Sequence, residues 1–253
     1  MIVTDLDGTY LRTDKSVSEY SLNVIEECRK RGIIFVIATA RPVRAVEKFL
    51  PYVKYDSAIF HNGAVVRANN NQLSGFGIDK PGELILRIMD DFPNLNASVE
   101  ICDKLYSNFN PSGIWKGIEY TPTNFMDLPP EKADKILIEA SSIDEMKRYE
   151  KYLPEELYIQ LSENAVAMIM NKNARKINAI KTVADTYGIS LDNIVAFGDD
   201  YNDIEMLAGC GIGVAMGNAI DEVKTAADYI CQSNDDDGMC KWLENNLKYS
   251  KQP

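Results

Sequence analysis

The sequence predicts an α/β protein: a parallel-sheet core interrupted by an inserted α+β domain. Three observations carry this. The apolar, β-branched-rich runs 33–38 and 194–197 have the pattern of strands buried on both faces. Each is flanked by helical periodicity, so both ends of the chain read as βαβ units. Between them, hairpin and helix patterns follow one another without that rhythm, as in an α+β domain. The boundaries fall at Lys80-Pro81-Gly82 and Asn171-Lys172-Asn173, giving core 1–79, insert 80–173 and core 174–253.

The chain begins with a short buried strand ending in Ile2 and Val3, followed at once by Asp5 and Asp7. Two residues apart on an extended segment, their side chains point to one side. Carboxylates that close repel, and their desolvation is costly, so a compensating cation is expected. Mg²⁺ suits a site of few carboxylates and phosphate oxygens. Gly8 permits a sharp turn, and Thr9 offers its hydroxyl and N–H to an anion. The same tetrapeptide also suits a plain Asx turn or a calcium loop.

Residues 17–31 read as a helix with Ser18 as N-cap, Val17 and Leu22 as its staple, and Gly32 as its stop. Strand 33–38 follows, and Thr39-Ala40-Arg41-Pro42 lies at its carboxyl end, with Pro42 opening a helix to about residue 50. Ligands of open α/β sheets bind beyond the carboxyl ends of strands, where Asp5, Asp7 and Thr39 all fall. Residues 58–66 read as two strands around the Asn62-Gly63 turn. His61 beside that turn reads as structural. In the insert, 83–92 is helical, 98–108 a hairpin turning near Asp103-Lys104, 135–140 a strand and 143–153 a helix. A second hairpin, 157–170, turns at 162–165. Helix 175–187 then buries Ile177, Ile180, Val183 and Ala184 and stops at Gly188. Strand 194–197 leads into Gly198-Asp199-Asp200-Tyr201-Asn202-Asp203 and a short helix. A strand at 211–214, a helix at 221–227, a strand at 229–231 and a helix at 235–247 complete the chain, with Asp235-Asp236-Asp237 expected to cap the last helix.

With 253 residues, 45% apolar and 26% charged, the chain can bury a sizeable core. Its 38 acidic and 27 basic residues give a net charge of −11, which disfavours nucleic acid or an anionic membrane as partner. No run approaches the roughly 20 apolar residues of a membrane span, and no leader pattern is seen. Five scattered cysteines without a C-x-x-C pair read as reduced thiols of a cytoplasmic protein. A single histidine excludes a multi-histidine metal site.

Asp5-Leu6-Asp7-Gly8-Thr9, Ala38-Thr39-Ala40-Arg41-Pro42, Lys176 and the 198–203 stretch, in that order, resemble the four motifs of the haloacid dehalogenase-like hydrolases. Residues 213–219 and 233–238 are similar to its Cof-type phosphatases with a large α+β cap. The resemblance implies a Rossmann-like core and a Mg²⁺-dependent phosphomonoester hydrolase acting through an aspartyl phosphate. It implies Asp5 as nucleophile and Asp7 as acid and then base. Thr39, Lys176 and Asn202 would hold phosphoryl oxygens, together with Thr9. Asp5, Asp199 and the Asp7 carbonyl would bind the metal, with Asp203 behind them or fixing Lys176. Asn62-Gly63 would lie near the cap junction and touch substrate. The cap would close over the site and select small phosphorylated metabolites, sugar phosphates first, with pyridoxal phosphate or a flavin-pathway intermediate as the alternative. A monomer is the favoured state. Phe109, Trp115 and Tyr120 are candidates to face a sugar ring, or else pack the cap. The rivals are a phosphosugar mutase, a receiver-like phospho-acceptor and a catalytically silent phosphosugar-binding protein. The single helix between Asp7 and Thr39 argues against the first, and the length of the chain against the second.

Overall fold

The computed structural model describes residues 1–49, 51–68, 71–73, 75–162 and 165–247. These form two compact units. One takes 1–41, 45–74 and 175 onward, and the other takes 42–44 and 75–174.

In chain order, the first unit begins with β1 (Ile2–Thr4), α1 (Glu19–Lys30), β2 (Phe35–Ala38), α2 (Val43–Phe49), β3 (Ser57–Phe60), β4 (Val65–Ala68) and β5 (Asn71–Leu73). The second unit supplies α3 (Pro81–Asp91), β6 (Ala97–Ile101), β7 (Lys104–Ser107), β8 (Thr121–Pro122), β9 (Lys135–Glu139), α4 (Ile143–Glu150), β10 (Leu157–Ser162) and β11 (Val166–Asn171). The first unit then resumes with α5 (Lys176–Tyr187), β12 (Val195–Gly198), α6 (Ile204–Gly209), β13 (Ile212–Ala215), α7 (Asp221–Ala226), β14 (Tyr229–Ile230) and α8 (Gly238–Leu247).

The first unit is built on an eight-stranded sheet ordered β14-β13-β12-β1-β2-β3-β4-β5. Its strands run parallel from β14 to β3, and β4 and β5 add an antiparallel edge. β1 is central because Ile2, Val3 and Thr4 are all buried and bond on both sides, with Thr4 opposite Ile37 and Phe197. Strand order reverses there: β2 lies on one side and β12 on the other. The loops leaving β1 and β12 therefore meet at a topological switch point, where α/β sheets bind ligands.

The second unit carries a six-stranded sheet, β10-β11-β9-β6-β7-β8, antiparallel except for the β7–β8 pair. Ile85 and Ile88 of α3 pack on Val99, Ile136, Ile138 and Ile169 of the sheet. The β6–β7 hairpin turns on Cys102 and Asp103, both left-handed.

Three local readings of the sequence need correction. The run 33–38 yields a strand only from Phe35. Gly32 is left-handed, with φ +78°, and the Ile33 N–H bonds the Cys28 carbonyl, so its first residues close α1 instead. The last helix starts at Gly238, after a 3₁₀ turn, Asn234–Asp236, and a left-handed Asp237. The carboxylates of Asp235 and Asp237 do not cap it. Asp235 accepts from Thr13, and Asp237 from Arg12, Ser18 and Ser21. β5 and β8 were unforeseen, being short and without apolar alternation. The tip of the 157–170 hairpin includes residues 163–164, which lie outside those described, as does residue 50 at the expected end of α2. Among the described residues, no helix is long and apolar enough to cross a membrane.

Candidate active site

Asp5 stands one residue beyond β1, its N–H bonded to the Phe197 carbonyl at 3.0 Å and its side chain buried. Lys176 is the first residue of α5. A cation there opposes the helix dipole, and this one is only 2% exposed, so it needs strong compensation. Two carboxylates supply it: Lys176 Nζ donates to Asp5 Oδ1 and to Asp203 Oδ1, each at 2.6 Å. Asp203 is held in turn. Its Oδ2 accepts the N–H groups of Asp199 and Asp200 at 3.0 and 3.2 Å. The chain can fold this tightly because residue 198 is glycine; a Cβ there would lie 2.4 Å from that of Asp203.

Asp199 approaches from the β12 side, and its Oδ1 accepts the Thr9 hydroxyl at 2.6 Å. Gly8 makes room. Its φ is +77°, and a Cβ would meet Asp199 Oδ2 at 2.2 Å. Carboxylate oxygens of Asp5, Asp199 and Asp203 all lie within 4.8 Å of one another.

Three carboxylates, Asp5 and Asp203 buried and Asp199 half-buried, leave excess negative charge around one ammonium. Burial raises the Asp5 pKa, and Asp203 and Asp199 raise it further against the pull of Lys176. Burial also pushes Asp199 up to about 6, with Asp203 adding and the Thr9 hydrogen bond opposing. Burial would lower the Lys176 pKa, but Asp203 and Asp5 more than offset it and the net shift is upward. Hard oxygen donors with surplus negative charge fit Mg²⁺. Asp203 has both oxygens engaged, so Asp5 and Asp199 are the pair placed to hold an ion.

Asp7 is not among the carboxylates that converge with Asp5. The chain leaves the extended conformation at Leu6, whose carbonyl accepts both the Thr9 and Leu11 N–H groups, so strand alternation no longer applies. Its carboxylate accepts Arg41 Nε and Nη2, each at 2.6 Å, and Lys15 Nζ at 2.7 Å. Burial acts upward on its pKa, and the hydrogen bonds from Arg41 and Lys15 outweigh it and hold the group low. Its side chain is not part of the acidic cluster. Thr9 is also redirected from the anion it was expected to face, its hydroxyl to Asp199 and its N–H to Leu6.

Thr39 is buried at the end of β2, and its Oγ1 accepts the Arg41 N–H at 3.1 Å. Asn202 Nδ2 donates to Asn62 Oδ1 at 3.0 Å. In the second unit, Trp115 and Tyr120 pack against Leu105, Leu137 and Val166, and Phe109 is half-buried.

Several supporting residues are given no role by the sequence. Arg41 and Lys15 grip Asp7. Asn218 Nδ2 donates to the Gly8 carbonyl, and Asn218 Oδ1 accepts the Asn234 N–H. Asn234 Nδ2 donates to the Leu11 carbonyl. Both asparagines fall in the stretches 213–219 and 233–238 noted above. Their partners Gly8 and Leu11 lie 210 and 223 residues away, so spacing alone could not pair them.

The model of a family described as haloacid dehalogenase-like hydrolase matches residues 2–243. The chain is 28% identical to the 5-amino-6-(5-phospho-D-ribitylamino)uracil phosphatase YitU of Bacillus subtilis, with 96% of each chain covered. Among solved structures it superposes on TM0651 from Thermotoga maritima with a TM-score of 0.85, at 25% identity and 96% coverage of both chains. The subclass IIB sugar phosphatase BT4131 shares the fold, with a TM-score of 0.82 at 22% identity, covering 96% of this chain and 97% of that one.

Proposed function

The chain belongs to the haloacid dehalogenase-like hydrolases and is a phosphatase, and on that premise we propose a Mg²⁺-dependent phosphomonoester hydrolase that works through an aspartyl phosphate. The observation that carries the proposal is the buried Asp5–Lys176–Asp203 chain of 2.6 Å contacts at the sheet's switch point.

Thr39, Lys176 and Asn202 bind and orient the phosphoryl group of the substrate. Phosphoryl transfer depends mostly on such positioning and on charge neutralisation. An Asp5 carboxylate oxygen attacks phosphorus as the ester oxygen leaves, and Asp7 delivers the proton that oxygen needs. Asp7 must part from Arg41 and Lys15 to carry that proton. It then takes a proton from water, whose oxygen attacks phosphorus, freeing inorganic phosphate and restoring the Asp5 carboxylate. Bound Mg²⁺ would neutralise charge on the phosphoryl oxygens, and Asp5, Asp199 and the Asp7 carbonyl are the groups to hold it.

The substrates are small phosphorylated metabolites, with sugar phosphates as the leading class and residues 80–173 as the part that selects among them. The second reading, a flavin-pathway intermediate, draws on the relative whose named substrate carries a phosphoribityl chain. Both classes present a phosphate ester on a polyhydroxylated carbon chain. Phosphate release is measured with Mg²⁺ across sugar phosphates, nucleotide monophosphates and pyridoxal phosphate. Sugar or ribityl phosphates should turn over fastest. Chelation or Asp5→Asn should reduce the rate by about a thousandfold or more. Absence of turnover on every ester, with Mg²⁺ still bound, would replace this reading with the phosphosugar-binding one.

A further inference from the structure

Between β3 and β4 the chain makes a buried turn, His61–Gly63, that is unusual in its backbone. His61 has φ +49°, Asn62 φ +55° and Gly63 φ +118°. For the two residues with side chains, the left-handed region is strained. The turn touches several parts of the site. His61 N–H bonds the Arg41 carbonyl at 3.1 Å, and Asn62 N–H bonds the Thr39 carbonyl at 3.0 Å. Gly63 packs on the entrance to α5, where a Cβ would lie 2.9 Å from the Arg175 carbonyl, beside Lys176. The Asn62 side chain, 5% exposed, accepts the Asn202 amide.

The backbone alone would favour glycine at position 62, since glycine reaches φ +55° without strain. What glycine lacks is the acceptor offered to Asn202. A carboxamide has a donor end and an acceptor end of nearly equal shape, and a phosphoryl group offers only acceptors. Asn202 serves such a group only with its NH₂ end turned to it. In the structure Asn62 presents its carbonyl end: one N–H of Asn202 bonds Asn62 Oδ1, and the second remains for the phosphoryl oxygen.

We propose that Asn62 is a positioning residue for phosphate recognition, fixing the Asn202 amide with its donor end toward the phosphoryl group. The proposal rests on the phosphatase reading above and concerns a residue outside the four motifs.

The test compares wild type with Asn62→Gly, Asn202→Ala and the double variant. Melting temperature is recorded, with kcat and KM on the best ester and the Kd of inorganic phosphate by calorimetry with Mg²⁺. Asn62→Gly should melt at or above the wild-type temperature, because it relieves strain. Its KM and phosphate Kd should nonetheless rise about tenfold, the effect of one misplaced hydrogen bond, with kcat changing less. In the Asn202→Ala background the glycine should add nothing. Wild-type KM and Kd in Asn62→Gly, or losses from the two sites that multiply, would overturn the proposal. A wild type that releases no phosphate from any ester overturns the phosphatase reading instead, and the calorimetric comparison of Asn62 can still be made.

Discussion

Lys176 occupies a position that a helix alone would disfavour, and its environment explains why it stays charged. Asp203 and Asp5 face it from two loops, and the N–H groups that orient Asp203 come from residues 199 and 200. The arrangement is close-packed, so small additions should be felt. Gly8→Ala is the sharpest case. It would force a Cβ into the space of the Asp199 carboxylate and place alanine at φ +77°. Activity should fall by about a hundredfold or more, because a misplaced carboxylate costs catalysis heavily, while circular dichroism reports a folded chain. Wild-type activity in that variant would show that Asp199 can move freely. The convergence of Asp5, Lys176, Asp199 and Asp203 was legible only through the resemblance of the four motifs to those of the family. The directions taken by Asp7 and Thr9 were not. They depend on the turn at Leu6 and on Arg41 and Lys15, none of which a two-residue spacing encodes.

At the level of elements, the sequence conveyed most where periodicity was long. Ser18 caps α1, Gly188 ends α5, and the β-branched runs became buried parallel strands. It conveyed least where a residue's partner is remote. The acidic run before α8 looked like a local cap, yet Asp237 binds Arg12 at 2.8 Å, Ser18 at 2.8 Å and Ser21 at 3.2 Å. It thus fastens the start of α8 to the start of α1. Burial acts upward on the Asp237 carboxyl, and the hydrogen bonds from Ser18 and Arg12 outweigh it, so its folded pKa lies below the usual 3.8. A depressed carboxylate stabilises the folded state above its unfolded pKa and loses that effect as pH falls through the folded one. Asp237→Ala should therefore cost about 1–3 kcal/mol at pH 7. The gap to wild type should close below pH 4 in urea titrations run across pH. A gap that stayed constant with pH would mean packing, not charge, accounts for the loss.

Over the whole molecule, the first unit is assembled from three stretches of chain, and most of the second unit, 75–174, is inserted before the last of them. The change of rhythm along the sequence marked an insert, because βαβ alternation and antiparallel hairpins leave different hydrophobic patterns. The pairing of β7 with β8 left no such mark, since Thr121–Pro122 is too short to show a period. Asp5 belongs to the first stretch and Asp199 to the last, so an ion held by both would cross-link them. Saturating Mg²⁺, at a hundred times its Kd, should stabilise the fold by about 2.7 kcal/mol. In thermal melts this appears as a rise of several degrees, reversed by chelation and absent in Asp199→Asn. An equal rise in Asp199→Asn would place the ion elsewhere.

The central position of β1 also bears on how the protein is made. β1 and β2 leave the ribosome early, but β12, the other neighbour of β1, follows roughly 160 residues after β2. At ordinary elongation speeds that is a wait of about 8 to 30 s. Throughout it, a central, fully buried strand of the sheet presents an open edge, the kind of surface that invites aggregation. The six-stranded sheet needs only the contiguous residues 97–171 and can form during the delay. Synthesis therefore completes the inserted sheet before the sheet that carries the chemistry, and a nascent chain gains its full set of acidic residues only after residue 203.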